Sequence, residues 1–172
     1  MTETWRGIFP ILITPFTDDL QLDEASLRRQ VDFCLEAGAT GVVGPANASE
    51  FSTLSDDERR RWIEIVVEQV DRRVPVVASV TSGHARAAAA LAGSAQAVGV
   101  DGIMSMPPPI LKPDVAGCVE YFRFLAGAVE IPVILQNYAA PLGTPMPAAV
   151  LARLCCEVGN IEYIKEEVPP EP

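Results

Sequence analysis

Six short apolar runs recur along the chain, each but the last followed by a turn and an amphipathic stretch, and no other feature restricts the fold as strongly. They lie at 7–13, 41–44, 74–80, 102–106, 132–137 and 161–165. Most are nearly continuous in Val, Ile, Leu or Met, the pattern of parallel strands covered on both faces. The stretches between them read as helices with defined starts. Asp23 can cap a helix through Glu36, with Leu27, Val31, Cys34 and Leu35 as its apolar stripe. Ser55-Asp56-Asp57-Glu58 is a capping box opening a helix through Val70. Residues 85–98, 114–129 and 147–158 supply three more, the last with Pro147 near its first turn.

Strand starts fall ~30 residues apart, the size of one βα unit. Two local repeats support this regularity. Gly38-Ala39-Thr40-Gly41-Val42-Val43 resembles Gly99-Val100-Asp101-Gly102-Ile103-Met104, and Val74-Pro75-Val76-Val77 resembles Ile131-Pro132-Val133-Ile134. Alternation of this kind means an α/β fold with a parallel sheet. No Gly-rich nucleotide-binding motif follows any strand, and the units continue without a reversal signal, which favours a (βα)8 TIM barrel over an open sheet. Such barrels need ~250 residues. The 172 residues are therefore expected to form a single partial barrel domain (1–172) of about six units, a truncated chain or fragment.

Composition narrows the function. The formal net charge of −10 disfavours a nucleic-acid or anionic-membrane surface. No run of eighteen apolar residues is present, so no membrane span is expected. Residues 1–6 lack a basic-then-apolar signal pattern, and a reducing cytoplasm is the expected setting. Cys34, Cys118, Cys155 and Cys156 show no metal-binding spacing and read as core packing. His84 is the only histidine, and alone it is poor grounds for a metal site.

In a barrel the active site lies at the C-terminal ends of the strands. The residues there are Thr14 to Phe16, then Asn47, Ser49 and Glu50, then Thr81, Ser82 and His84. Pro107 to Pro109 follow the fourth run, Gln136, Asn137 and Tyr138 close the fifth, and Lys165, Glu166 and Glu167 close the sixth. Lys165 is the sharpest feature, because only two of thirteen basic residues are lysines. An ammonium at a buried strand end would lose its proton readily, and the neutral amine attacks a 2-oxo group to form an imine. The alternative is a strand-end lysine that reaches water or pairs with Glu166 or Glu167. Glu50 reads more readily as a turn cap or subunit contact than as a chemical group.

Three motifs decide between these readings. Gly7-Ile8-Phe9-Pro10-Ile11-Leu12-Ile13-Thr14-Pro15-Phe16, Ala46-Asn47-Ala48-Ser49-Glu50 followed by Thr53-Leu54-Ser55, and Tyr163-Ile164-Lys165-Glu166-Glu167 occur in order at matching intervals. Together they resemble the dihydrodipicolinate synthase / N-acetylneuraminate lyase family of Schiff-base barrels, from about residue 6 to 168. The resemblance implies an imine-forming Lys165, no metal and no organic cofactor, a small 2-oxo acid as partner, and a homo-oligomer, tetramer or dimer. It implies that Asn47, Ala48 and Ser49, with Thr14, hold the substrate carboxylate. Gln136 stands where the family's proton-shuttling tyrosine stands. Tyr138 lies two residues on, on the same face of an extended strand, so either Tyr138 or Gln136 serves the reacting carbon.

Met106-Pro107-Pro108-Pro109 replaces the paired tyrosines of true synthases, and Pro141 replaces their arginine for the second substrate's carboxylate. The implied activity is a lyase, aldolase or dehydratase, on a pyruvate-like or 2-keto-3-deoxy sugar acid, nearest the 2-keto-3-deoxyarabonate dehydratases. A synthase-like condensation enzyme, or a catalytically inactive fragment or binding homologue, are the alternatives.

Overall fold

The computed structural model describes residues 4–139 and 141–169. These divide into two compact units, one running through Ser79 and including Val98–Asp101, the other comprising Val80–Ala97 and the chain from Gly102 onward.

In the first unit, α1 (Glu24–Glu36) begins where Asp23 accepts the Ser26 N–H at 3.0 Å. It buries Leu27 and Val31. β1 (Val42–Gly44) is wholly buried. Two 3-10 turns, Asn47–Ser49 and Phe51–Thr53, lead to α2 (Asp56–Val70). Its start is the reciprocal box read from sequence: Ser55 Oγ accepts the Glu58 N–H at 3.3 Å, and Glu58 Oε2 accepts the Ser55 N–H at 2.8 Å. β2 (Val76–Ser79) runs parallel to β1, with Val42 opposite Val76 and Gly44 opposite Ala78.

The first apolar run is not a full strand. Residues 7–13 lie beside β1 and make one parallel bridge, Ile11 to Val43, flanked by Val43 N–H to Pro10 O and Leu12 N–H to Val43 O, both 3.0 Å. Pro10 has no N–H to donate, which limits the ladder in its middle. Among the described residues there are thus five strands where six apolar runs suggest six.

Two glycines make this packing possible. A Cβ on Gly41 would stand 2.0 Å from Phe9 Cε1, and one on Gly44 would stand 2.4 Å from Trp62 Cη2. Trp62 is fully buried and cannot swing clear. Gly44→Ala is expected to lower unfolding stability by about 1–3 kcal/mol, the usual range for overpacking a filled core. Urea melts measure it, and an unchanged midpoint would refute the tight fit.

Carboxylates and arginines tie α1 to α2. Arg61 grips Glu24 through two bonds of 2.7 and 2.8 Å, Arg28 meets Glu68 at 2.5 Å, and Arg73 meets Asp32 at 2.9 Å. Hydrogen bonds from Arg61, Arg28 and Arg73 hold Glu24, Glu68 and Asp32, respectively, below their ordinary pKa values. Depressed carboxylates contribute stability above their unfolded pKa of about 4, and that stability disappears as pH falls through the folded values. All are partly exposed pairs, screened by solvent, so each effect is small. The melting temperature should therefore drop on acidification from pH 6 to 3, and drop less in Arg61→Met. Equal slopes in the two proteins would contradict the assignment.

The second unit continues the alternation with α3 (Ala85–Val98), β3 (Gly102–Ser105), α4 (Val115–Ala126), β4 (Val133–Tyr138), α5 (Ala148–Glu157) and β5 (Ile161–Glu167). Asp114 caps α4 by accepting the Gly117 N–H at 2.8 Å. Helix α4 stops at Ala126, three residues before the end expected from its apolar pattern, because Gly127 provides the cap. β3 pairs parallel with β4, and β4 with β5. β5 closes the strand order, so its far edge has no strand partner among the described residues.

Candidate active site

The turn after β1 is braced by the very hydroxyls that the sequence nominates for substrate. Ser49 is fully buried; its Oγ accepts the Ala46 N–H at 2.9 Å and donates to Leu12 O at 2.5 Å. Thr14 Oγ1 donates to Ser49 O at 2.6 Å. Both hydroxyls therefore pin the turn to the 7–14 segment. Ser49 and Glu50 spend their N–H groups inside the turn, on Ala46 O and Asn47 O. The N–H groups of Asn47 and Ala48 precede the first of these bonds, where a 3-10 turn leaves donors without internal partners. Asn47 Nδ2 is buried with no hydrogen-bond partner among the described residues. Ala48 is exposed. Such donors suit a carboxylate. The Glu50 side chain is exposed while its backbone takes a left-handed conformation at φ 58°.

In the second unit, strand register assembles the lysine cluster. Gln136 lies opposite Lys165 and Tyr138 opposite Glu167. Side chains alternate along a strand, so Gln136, Tyr138, Lys165 and Glu167 share one face, while Asn137 and Glu166 take the other. Lys165 Nζ stands 2.9 Å from Glu167 Oε1, and Gln136 Nε2 donates to Glu167 Oε2 at 2.5 Å. Gln136 is buried, whereas the Lys165 and Glu167 side chains are each 32% exposed. Lys165 is thus less enclosed than its strand-end position suggests. Its amine is carboxylate-paired, and the partner is the glutamate two residues on.

Glu166 has a different task. Both its oxygens accept from Asn137 Nδ2, at 3.1 and 2.9 Å, and Oε1 also accepts the Val168 N–H at 2.8 Å. Asn137 in turn exchanges two bonds with the Met146 backbone, 2.8 and 3.2 Å. This pair ties the end of β5 to the β4–α5 loop. Glu167 is the residue that sequence reasoning underrated. Its signal is the period of two, which puts position 167, not 166, beside Lys165.

The remaining candidates have structural employment. His84 Nδ1 accepts the Ala87 N–H at 3.3 Å and caps α3. Thr81 Oγ1 accepts the Met106 N–H at 3.1 Å, and Ser105 Oγ meets Tyr121 OH at 2.7 Å, all buried. Burial pushes the Cys118 thiol up to about 11 and raises Cys34 and Cys155 as well, consistent with packing rather than nucleophilic roles. A cleft of about 610 Å³ is walled by His84, Leu111, Tyr121 and Phe124, and Lys165, Gln136 and Glu167 are not in its wall. No helix among the described residues is long and apolar enough to cross a membrane.

Comparison with known proteins agrees with this arrangement of strands. The chain is 44% identical over 162 residues to a 4-hydroxy-tetrahydrodipicolinate synthase from Methanopyrus kandleri, covering 94% of this chain and 54% of that protein. It is 36% identical over 171 residues to an L-2-keto-3-deoxyarabonate dehydratase from Azospirillum brasilense, covering 98% of this chain and 55% of that one. Among solved structures, a prophage protein of the dihydrodipicolinic acid synthase family from E. coli, determined in complex with pyruvate, superposes with a TM-score of 0.91 at 34% identity, over 95% of this chain and 55% of its own. The chain thus spans about half the length of the curated relatives it matches, and its βα units are those of a (βα)8 barrel. With the profile of the family described as "Dihydrodipicolinate synthetase family" matching residues 4–169, the chain belongs to that family.

Proposed function

We propose that this chain carries the imine-forming lysine of a Schiff-base lyase, a dehydratase acting on a 2-keto-3-deoxy sugar acid. The observation that carries the reading is the Lys165–Glu167–Gln136 cluster: an amine with a carboxylate at 2.9 Å and an amide orienting that carboxylate's other oxygen. The neutral amine of Lys165 adds to the C2 carbonyl, with the Glu167 carboxylate beside it, 2.9 Å from Nζ. Loss of water gives the iminium. Removal of a C3 proton then forms an enamine, and the C4–oxygen bond breaks as its hydroxyl is protonated, so one water leaves. A second water hydrolyses the imine and returns Lys165. A carboxylate beside the imine can carry these protons, with Gln136 holding it and Tyr138, one pleat further on, as a second candidate. Asn47 and Ala48 hold the substrate carboxylate through backbone donors and the unpartnered Asn47 amide, while Thr14 and Ser49 keep that turn in shape.

Similarity to the keto-deoxyarabonate dehydratase and the absence of an arginine at Pro141 support dehydration. The relatives named as synthases favour a second reading, condensation through the same lysine. No metal or organic cofactor is needed for either. A family-type homo-oligomer, tetramer or dimer, working in the cytoplasm completes the proposal. Borohydride trapping with pyruvate, read by intact mass, tests the imine. Assaying loss of water from a 2-keto-3-deoxypentonate beside condensation of pyruvate with a semialdehyde separates the readings. A folded sample with no adduct would refute both.

A further inference from the structure

Ser49 and Thr14 hold the turn that carries Asn47 and Ala48 to the 7–14 segment, and helix α2 holds both of its ends. Trp62 packs on Gly44, the last residue of β1, so closely that a Cβ there would stand 2.4 Å from the ring. Arg59 is three residues earlier, on the same face of the helix. Its Cζ lies over the Phe51 ring, 5.2 Å from the centroid. Phe51 follows Glu50 directly, and its N–H bonds Ala46 O at 3.3 Å, which closes the turn. Arg59 also donates from Nη2 to Ser79 O at 3.2 Å. Gly44 pairs with Ala78, so Ser79, one residue on, stands level with the start of the turn.

The choice of residue is informative. Arg59 is 4% exposed and is the one charged side chain among the described residues that is buried. Burying a guanidinium is costly. Leucine or methionine would pack on Phe51 at less cost and tie nothing to Ser79. A guanidinium covers a ring with its face and donates from its edge. One group thereby fixes Phe51, and with it the turn, relative to the end of β2.

We propose that Arg59 is a positioning residue: through Phe51 it sets the turn so that the Asn47 and Ala48 donors close on the substrate carboxylate. This rests on the role given above to those two donors. Arg59 acts on the turn and not on the substrate itself, so its loss weakens the hold on a carboxylate and leaves imine formation alone.

Second-order rates of borohydride trapping separate the two, because acetone forms an imine and has no carboxylate. In Arg59→Met the rate with pyruvate falls about tenfold, as on losing one hydrogen bond to a charged group, and the rate with acetone is unchanged. Phe51→Leu, a milder change at a half-buried residue, gives the same pattern and serves alone if Arg59→Met does not fold. The double variant loses no more than either single one, because both act along one route. A fall shared by the two carbonyls, or losses that add, overturns the proposal, since a residue that merely holds the core together would produce them. Backbone amide shifts of Asn47 and Ala48, titrated with lactate, read the turn without Lys165 because lactate has no ketone. Half-saturation about tenfold higher in Phe51→Leu supports the proposal even where no adduct traps and the imine reading fails. Equal half-saturation in variant and parent, or no lactate shift in the parent, overturns it.

Discussion

Lys165→Ala is expected to abolish the borohydride-trapped pyruvate adduct and to lower turnover by on the order of 10⁴-fold or more, since covalent catalysis has no substitute once the nucleophile is gone. The chemistry has no other amine at the right place: the only other lysine, Lys112, lies on the β3–α4 loop. Intact-mass spectra after reduction should show one adduct on the parent chain and none on the variant. The variant should remain folded, because Lys165 is 32% exposed and its single ion pair is worth little to stability. An adduct surviving in Lys165→Ala, with unchanged circular dichroism, would dismiss this lysine as the nucleophile.

Glu167→Gln should reduce kcat by about 10²- to 10⁴-fold, the range for loss of a positioned acid–base group. Its amide keeps the size and a hydrogen bond to Gln136 but cannot exchange protons with the intermediate. Imine trapping should slow without vanishing, which separates this variant from Lys165→Ala. Glu166→Gln is the informative control. Glu166 sits on the opposite strand face, bonded to Asn137 and the Val168 N–H. Its replacement should weaken the β5 terminus and lower the melting temperature while leaving kcat within about tenfold, as expected for a group that holds structure rather than protons. A Glu166 variant that is the more damaged catalytically would reverse the assignment of faces.

Most elements could be read from sequence because their causes are local. Helix α3 covers 85–98 as expected, and Asp23, Ser55 and Asp114 sit at the starts of α1, α2 and α4. A cap needs only residues within one turn of itself. β4 and β5 likewise follow from dense apolar runs. The 7–13 run was harder, since whether an extended segment becomes a strand depends on what its neighbour can bond, and Pro10 withholds a donor.

The candidate site divides along the same line. That a lysine stands at the end of the last strand, with Gln136 and Tyr138 on one face of the strand before it, was determined by sequence alone, because strand periodicity assigns faces without reference to anything distant. What only the tertiary structure decided is which groups those residues meet. Register between β4 and β5 set Gln136 against Lys165 and delivered Glu167 to both. Contacts between segments 37 and 35 residues apart committed the Ser49 and Thr14 hydroxyls to the turn itself. A hydrogen bond across 29 residues put Lys112 on Pro141. Such pairings are chosen by the relative placement of whole elements, and no local pattern encodes that choice.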